Sequence, residues 1–586
     1  MPTLRNCLLI LAYAAAALAL ATHGAAADDL IVKRFGSGHS ADAVGIADAG
    51  EDVELAGPQA LTADSNGNLL LLDQLNQRIM RFNPKRPAED LNILEMPDSV
   101  QAHDLVVQKD DILVWDNGIR TLKATGDPVS TRGVSGTTIK LEEVSSRGVD
   151  DVFATSAFAQ MGSQPPGSSA DLLDQNTRAV AIKQGRKPSR QYIASHGRGS
   201  VIADITPDKS ANSVHVEVRT MDNDETIARI HLRVRDKLGA VELLEIDNHD
   251  RLYILGENIP SNAVGAATFV ARYTLAGELE GLYELPLEDT PITRRFVTIS
   301  GDGDVYFLRT QRSGVEVVGV GFRPLRNAKL IDVRPRIRNA SGAPGRNFTA
   351  IAAMRPSNRQ QVIEAAFAFE GIQWQVTPEN YGSDPDTACS GFNRIRRPWY
   401  LQGKMGQYVR GVPYCWGCHG SLANFQALMR RGVKAGNICT KNAPRNDAAG
   451  VDCSAFVSAT WGLSVHYTTA AIPAIAKPVS DPWELRPGDA LNKPGSHVML
   501  FLRFTPDRKA EVMEASPGAC NGRVCRNVYP LASLLARGFQ PVRFKAFADD
   551  NMMVAQSAYA SDKDAGPVKA KAEKTAPHKT RRRHRR

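Results

Sequence analysis

A unit of short, alternating strands recurs through the first half of this chain and limits the folds that this half can adopt. The clearest copy is residues 57–83, where apolar residues alternate on both sides of a turn at residues 64–67. Weaker copies follow at residues 104–122, 243–255 and 297–308. Period-two alternation broken by Asp, Asn and Gly is typical of antiparallel hairpins. Because one such blade cannot bury both of its faces, its recurrence favours an all-β propeller.

We predict the propeller at residues 28–333, which leaves room for six or seven blades at roughly 40–45 residues each. A β-sandwich or two smaller β-domains would fit the same alternation. The first copy resembles an NHL-type propeller repeat, with matches at Pro58, Asp64, Gly67, Asp73, Asn76, Arg78 and Ile79.

Propellers carry many unrelated functions. This half shows no cluster of His, Asp or Glu at ligand spacing, so we expect no metal in it. We interpret the propeller as a module that binds an envelope protein or glycan.

The first 27 residues are typical of a cleavable secretory signal peptide. Arg5 precedes an apolar run at residues 7–21, and small residues lead to Ala27, just before Asp28. The apolar run is shorter than the ~20 residues that a membrane-spanning helix needs, which disfavours the alternative of a membrane anchor. We therefore predict a periplasmic or secreted protein with no transmembrane span after cleavage. Nucleic acid is not an expected partner in that compartment.

Composition divides the remainder of the chain. Its 586 residues exceed what one hydrophobic core organises. A stretch rich in Pro, Arg and Gly predicts a linker at residues 334–357, and helical periodicity after it opens a second domain at residues 358–547. The net charge of +8 lies in the tail, where residues 563–586 hold ten Lys and Arg against two acidic residues. Residues 548–586 have little to bury, so we predict a disordered basic tail.

All the cysteines that remain after signal cleavage lie in the second half. They are Cys389, Cys415, Cys418, Cys439, Cys453, Cys520 and Cys525. An oxidising compartment permits disulfides, and an odd number leaves one thiol outside the pairs. We predict a single definite pair, Cys520–Cys525, because it closes a short turn over Asn521 and Gly522.

The segment GVDCSAFVSATWG at residues 450–462 is the most informative for chemistry. Gly450 and Asp452 suit a turn and a helix cap, and apolar residues such as Phe456 and Val457 follow at helical spacing. Cys453 therefore falls in the first turn of a buried helix. Backbone N–H groups without helical partners and the positive end of the helix dipole favour a thiolate nucleophile at this position.

A histidine follows at a position from which it can reach this thiol. A Pro-Gly-Asp turn at residues 487–489 precedes one strand, and the apolar run at residues 498–502 predicts a second strand that is buried on both faces. His497 stands at the start of that second strand. A thiol and an imidazole, with a third polar group to hold the ring, form the general arrangement for thiol nucleophilic catalysis.

These motifs resemble those of the NlpC-type cell-wall peptidases. D-C-S-x-F-V, P-G-D and S-H-V occur in the family's order, and GVPYCWGCHG at residues 411–420 is similar to its G-x-P-Y-x-W-G-G segment. The resemblance covers residues 400–545 and implies a papain-like α+β domain with Cys453 as nucleophile and His497 as general base and acid. We expect the substrate-binding residues in the same motifs, at Tyr414, Trp416, Asp452 and Ser454.

The resemblance also implies a substrate and a reaction. The substrate would be a peptidoglycan stem peptide, and the reaction would be hydrolysis of the amide between D-γ-glutamyl and a diamino acid, without a cofactor. The alternative is an envelope binding or scaffold protein whose peptidase domain is vestigial.

The third catalytic position departs from the family pattern. The family usually has His, Asn or Gln on the strand after the base, whereas the matching segment EVMEAS has Glu514 there. A carboxylate can accept the imidazole N–H and stabilise its cation, so we predict that Glu514 orients His497. In the alternative, a backbone carbonyl or Asn492 orients the ring, and Glu514 is an ordinary strand residue.

Two cofactor hypotheses compete for the cysteines. Cys415, Cys418 and His419 form a C-x-x-C-H string, which in an exported protein is the attachment signature of a c-type haem. With Cys439, the same residues could supply four zinc ligands. Because the match to the peptidase segment surrounds the string and an oxidising compartment favours disulfides, we expect neither cofactor.

Overall fold

The structure is a computed structural model. It describes residues 28–47, 54–86, 91–108, 111–116, 119–130, 137–147, 189–260, 265–288, 290–325, 328–334, 358–381, 396–439 and 447–547. The predicted signal peptide at residues 1–27, residues 335–357 of the predicted linker and the predicted tail at residues 548–586 lie outside these ranges. Within them, no helix is both long and apolar enough to cross a membrane.

The first part of the chain consists of strands. In chain order they are β1 (Leu30–Ser37), β2 (Ala43–Val44), β3 (Ala60–Ala63), β4 (Leu69–Asp73), β5 (Arg78–Phe82), β6 (Asn92–Glu95), β7 (Asp104–Gln108), β8 (Asp111–Trp115), β9 (Ile119–Ser130), β10 (Thr137–Arg147), β11 (Ser189–Ser195), β12 (Gly199–Pro207), β13 (Ser213–Thr220), β14 (Thr226–Arg233), β15 (Lys237–Ile246), β16 (Arg251–Ile259), β17 (Ala267–Thr274), β18 (Leu279–Glu284), β19 (Val297–Ile299), β20 (Val305–Gln311), β21 (Gly314–Gly319) and β22 (Phe322–Pro324). A short 3-10 helix, Gln74–Asn76, separates β4 from β5.

These strands form five antiparallel blades, as a propeller requires. Four blades use consecutive strands, β3–β6, β7–β10, β11–β14 and β15–β18, and β22 adds an edge to the last of them. The fifth combines β19–β21 with β1, which pairs antiparallel to β21 and joins the start of the domain to its end. The parallel pairing of β6 with β10 links the first two blades. The N-terminal half is therefore a propeller-type β domain.

The described residues hold fewer blades than the six or seven that the length predicts. Residues 148–188, between β10 and β11, lie outside the described ranges. The described residues 285–288, 290–296 and 328–333 connect or buttress blades without adding a further one. Residues 148–188 belong to the predicted propeller, so the prediction of six or seven blades stays untested there.

Aspartates shape the hairpin turns that recur in the sequence. The carboxylate of Asp64 accepts the backbone N–H groups of Asn66 and Asn68, each at 2.9 Å. In the fourth blade, Asp247 accepts the N–H groups two and four residues further on, at 2.8 and 2.9 Å. Such Asx turns reverse a strand with local contacts alone. Because these turns depend on neighbouring residues, the sequence alone is enough to recognise the copies.

The third blade is the one that the turn pattern does not reveal. Its strands alternate clearly, and in β13 the buried residues Val214, Val216 and Val218 are separated by more exposed ones. Its hairpins lack the Asp-Ser-Asn-Gly turn of the first copy. Alternation without a turn motif is a weak indication of a blade.

The second part of the chain, residues 358–547, combines helices with a six-stranded sheet. The helices are α1 (Arg359–Gly371), α2 (Pro378–Tyr381), α3 (Leu422–Arg430), α4 (Cys453–Thr460), α5 (Ile472–Ile475) and α6 (Leu531–Ala536), with 3-10 turns at Trp399–Leu401 and Pro482–Glu484. The strands are β23 (Gln373–Gln375), β24 (Tyr408–Arg410), β25 (Lys434–Ala435), β26 (Ala448–Ala449), β27 (Ala476–Pro478), β28 (Ala490–Lys493), β29 (His497–Phe504), β30 (Lys509–Ser516), β31 (Arg523–Pro530) and β32 (Gln540–Phe544). The sheet has the order β27-β32-β28-β29-β30-β31.

Strand β29 is buried on both faces, which explains its unbroken apolar run. Val498, Leu500 and Leu502 belong to a core that also contains residues of α1 and α4. Met499 and Phe501 belong instead to a cluster with residues of α6 and of the propeller. Because successive side chains of a strand point to opposite faces, the propeller and α6 cover the face of the sheet that α4 does not.

Buried polar contacts accompany this shared apolar cluster. Lys509 in β30 forms an ion pair with Glu242 in β15, and both side chains are fully buried. Glu257 in β16 accepts the N–H of Ser533 at the start of α6, at 3.2 Å. A buried charge that loses its partner is strongly destabilising. These contacts therefore fix how the propeller and the second domain pack together.

Candidate active site

Asp452 caps the helix that carries Cys453. One oxygen of its carboxylate accepts the N–H of Ala455 at 2.7 Å, and the other accepts the N–H of Gly417 at 3.0 Å. Helix α4 begins at Cys453, which is fully buried. The thiol therefore lies at a helix start, where backbone N–H groups lack helical partners and the helix dipole stabilises an anion.

His497, the first residue of β29, lies between Cys453 and Glu514. Its Nε2 is 2.6 Å from Oε2 of Glu514, which leaves Nδ1 for the hydrogen bond with Cys453. Burial acts to lower the pKa of His497, but the charge and hydrogen bond of Cys453, together with those of Glu514, raise the pKa well above its usual value. The ring is therefore favoured as an imidazolium.

Glu514 in β30 is fully buried and accepts three hydrogen bonds. Besides the contact with His497, its Oε1 accepts from Nδ2 of Asn527 and from the hydroxyl of Tyr529, both at 2.7 Å. Burial acts to raise the pKa of Glu514, but the hydrogen bond and charge of His497, helped by Tyr529 and Asn527, hold the pKa below its usual value. An ionised carboxylate can accept all three bonds.

Asn492, the alternative partner for the ring, is engaged elsewhere. It donates its side-chain amide to the backbone carbonyl of Thr469 at 3.0 Å. The two ring nitrogens of His497 are accounted for by Glu514 and Cys453. The structure therefore brings Cys453, His497 and Glu514 together, while the catalytic role of each stays a prediction.

The predicted substrate-binding residues lie around the helix start. Ser454 is fully buried, and its hydroxyl contacts Asp452 at 3.0 Å and Nε2 of His466 at 2.8 Å. Tyr414 is buried in the core, and Trp416 packs at its edge. The side chains of Asp452 and Ser454 are thus engaged in holding the helix start. Contact of any of the four predicted residues with a substrate stays a prediction.

Asn527 and Tyr529 are site residues that the motifs do not indicate. Both lie in β31, two residues apart, so their side chains share one face of the strand. Strand β31 pairs with β30, and Cys525 is opposite Glu514 in that register. The alternation within RVCRNVYP at residues 523–530 could have placed the two on one face, but nothing in the sequence pairs that face with Glu514.

Disulfides account for the other described cysteines. Cys520 is bonded to Cys525, the pair that the sequence predicts, and Cys415 is bonded to Cys418. Cys439 is also disulfide-bonded, and the remaining predicted member, Cys389, lies outside the described residues. Among the described cysteines, Cys453 alone is in no disulfide. The Cys415–Cys418 bond occupies both thiols that haem attachment would need, and disulfides occupy all three thiols of the zinc hypothesis.

Comparisons with known protein families and with curated protein sequences find no match. Among solved structures, a hydrazine synthase from Kuenenia stuttgartiensis is 10% identical and covers 44% of this chain and 78% of its own, with a TM-score of 0.21. A streptogramin B lyase is 11% identical and covers 50% of this chain and 98% of its own, with a TM-score of 0.21. Virginiamycin B lyase from Staphylococcus aureus is 13% identical, with coverages of 45% and 69% and a TM-score of 0.15. Likenesses this weak carry no argument about the activity of this chain.

Glu514→Gln should lower the pKa of His497. The amide keeps the size of the side chain but removes the negative charge that stabilises the imidazolium, so the ring should lose its proton at a lower pH than in the wild type. Nuclear magnetic resonance titration of the ring in histidine-labelled protein measures this change. Glu511→Gln is the matched control, because Glu511 lies in the same strand but pairs with Arg503. Identical titration of His497 in Glu514→Gln and wild type would contradict the assignment.

Proposed function

We propose that this chain is an exported cysteine peptidase that hydrolyses an amide bond in peptidoglycan stem peptides, with a papain-like, NlpC-type catalytic domain and a propeller that binds or regulates. One observation carries the proposal: His497 contacts Cys453 on one side and Glu514 on the other. A thiol, an imidazole and a carboxylate in this order supply the nucleophile, the proton carrier and the group that orients it.

The disulfides support the proposed periplasmic or secreted location. Two bonds, Cys415–Cys418 and Cys520–Cys525, lie within the second domain. Disulfides persist in oxidising compartments and are rare in the cytosol. The signal-like start of the sequence agrees with export.

In the proposed mechanism, the thiolate of Cys453 attacks the carbonyl carbon of the scissile amide. Backbone N–H groups at the start of α4 stabilise the oxyanion that forms. The imidazolium of His497 gives its proton to the leaving amine, and a thioester to Cys453 remains. His497, now neutral, takes a proton from the water that attacks the thioester, which releases the acid and the thiolate of Cys453 and restores the imidazolium of His497. Glu514 keeps the ring aimed and stabilises its charged form.

The substrate class is supported by the sequence motifs rather than by a cavity. The segments around Tyr414, Cys453 and His497 resemble those of the NlpC-type enzymes, whose substrates are peptidoglycan stem peptides. The bond that this resemblance favours is the amide between D-γ-glutamyl and a diamino acid.

One observation favours a second candidate, a non-catalytic envelope scaffold with a vestigial peptidase domain. Cys453 has no exposed surface, and His497 is 3% exposed. A substrate reaches a thiol so enclosed only if the site opens on binding. A domain that never opens would act through its surface alone.

Cys453→Ala and His497→Ala should each lower the rate of muropeptide cleavage by at least about 1,000-fold, because either change removes one half of the nucleophile pair. The measurement is the release of new amines from a defined tripeptide or tetrapeptide muropeptide, with products identified by mass spectrometry. His249→Ala, which removes an exposed propeller histidine, is the matched control and should keep wild-type activity.

Two results would decide against the peptidase. Equal product from the wild type and Cys453→Ala would assign the cleavage to a contaminant. No product from the wild type, with the muropeptide still bound to it, would favour the scaffold instead.

A further inference from the structure

Arg294, which precedes β19 in the propeller, reaches into the second domain. Its guanidinium donates to the backbone carbonyl of Ala519 at 3.0 Å and to the side-chain oxygen of Asn527. The residue is 7% exposed. A propeller side chain therefore contacts the strand that supplies Glu514 with hydrogen-bond donors.

Asn527 connects this contact to the carboxylate. Because a guanidinium only donates, it holds the amide oxygen of Asn527 on its own side and leaves Nδ2 to donate to Glu514. Nδ2 is 2.7 Å from one oxygen of Glu514, and the other oxygen is 2.6 Å from Nε2 of His497. The hydrogen bonds form an unbroken chain from the propeller to the imidazole.

The charges along this series of hydrogen bonds favour an ionised Glu514. His103, next to Arg294, is neutral, because burial and the positive charges of Arg294 and Arg523 lower its pKa to about 3. Arg294 is the charged group that donates to the amide oxygen of Asn527. A cationic donor polarises the amide and strengthens the bond that the amide makes to a carboxylate. Other titratable groups around the network include Cys453, His497, Tyr529 and Glu54. The cavity beside Arg294 and Asn527 is also lined by Glu370, Glu511, Arg523 and Arg526.

We propose that Arg294 is a positioning residue for His497, so that the docked propeller completes the peptidase active centre. The inference rests on the proposed peptidase function. Arg294 holds Asn527, and Asn527 keeps Glu514 ionised and in place. Glu514 in turn keeps His497 protonated and aimed at Cys453. The propeller acts on the reaction through these hydrogen bonds, without touching the substrate.

A cavity beside Arg294 makes the residue suitable for substitution. The cavity measures about 530 Å³ and lies between the two domains, lined by Arg294 and Trp115 on one side and by Tyr400 and Asn527 on the other. Methionine is unbranched and flexible, so at position 294 it can adapt to the space beside this cavity. Arg294→Met therefore removes the charge and the donors and leaves the packing of the sheet in place.

The test compares Arg294→Met, Arg294→Lys and a matched control, Arg508→Met. Arg508 lies in the turn between β29 and β30, is as buried as Arg294 and donates across the same interface to the carbonyl of Leu238 at 3.1 Å. For Arg294→Met we expect kcat on the muropeptide to fall about tenfold while KM changes less than about twofold. The basic limb of its pH profile and the magnetic resonance titration of His497 should both move to lower pH.

The two remaining variants separate positioning from stability. Arg294→Lys keeps the charge and should recover part of kcat and of the His497 titration. Arg508→Met should lower the melting temperature, and so should Arg294→Met. Arg508→Met should, however, leave the His497 titration at its wild-type position. A His497 titration that is unchanged in Arg294→Met would overturn the positioning role, and so would an equal shift in Arg508→Met.

The titration of His497 needs no substrate, so it distinguishes this inference from the proposed function. A wild type that cleaves no muropeptide overturns the peptidase proposal, and with it the role of Arg294 in a reaction. A wild type that cleaves while the titration stays the same in Arg294→Met overturns the positioning role alone.

A separate observation concerns the surface of the third blade. His215 in β13 and His231 in β14 are directly opposite in the strand register, and their rings stack with centroids 4.5 Å apart. Their Nε2 atoms are each 2.9 Å from a different oxygen of Asp208. The ligand atoms of the three side chains all lie within 4.8 Å of one another. The two histidines lie on consecutive strands, and the strand register brings their side chains together.

We infer that Asp208, His215 and His231 form a binding site for a late first-row divalent cation such as Zn²⁺. Two imidazoles and a carboxylate are a donor set that these ions prefer, with water completing the coordination. Both rings are more than half exposed, at 60% and 52% for their side chains. They can therefore tilt until their nitrogens converge on an ion at about 2.0–2.1 Å. The site is independent of the proposed peptidase chemistry.

Calorimetric titration of the full-length protein with Zn²⁺ at neutral pH tests this site. We expect one site with a Kd on the order of 10 μM, which weakens as the pH falls because protonated imidazoles do not bind metal. His215→Ala and His231→Ala should each abolish it, and His249→Ala should not. Binding that persists unchanged in His215→Ala would assign it to other residues, such as the tail histidines His578 and His584, and overturn the inference. The absence of binding in the wild type would overturn it as well.

Discussion

The hydrogen bond between His497 and Glu514 places a charged pair in the interior, and its surroundings follow from that constraint. A buried carboxylate and a buried imidazolium lose their hydration and need partners to offset the loss. Glu514 obtains them from Asn527 and Tyr529, so β31 must stay in register with β30. The Cys520–Cys525 disulfide lies against Asn527, with sulfur atoms 3.5 and 3.4 Å from Nδ2. It anchors β31 at Cys525, two residues before Asn527.

The two domains share a core because both faces of β29, the strand that begins at His497, are apolar and buried. One face of β29 packs on α4, and the other would meet water if the propeller and α6 did not cover it. Docking of the propeller thus buries apolar surface and excludes water from the histidine at the strand start.

Features that depend on neighbouring residues could be predicted from the sequence, and those that depend on distant contacts could not. The helix start at Cys453, the position of His497 before an apolar strand and the Asx turns of the blades are all local patterns. Arg294 contacts Asn527 from a position 233 residues away in the sequence, and His215 meets His231 only through strand register. The third blade alternates without the Asp-Ser-Asn-Gly turn of the first copy, so the turn pattern does not reveal it.

The ionisation of Cys453 tests the central claim most directly. The ultraviolet absorbance of a thiolate, measured across pH as the difference between wild type and Cys453→Ala, reports on this residue, since the other described cysteines are in disulfides. We expect a thiolate that is already present at neutral pH, paired with the imidazolium of His497. A difference absorbance that appears only at the alkaline pH where an ordinary thiol ionises would contradict the ion pair and the mechanism built on it.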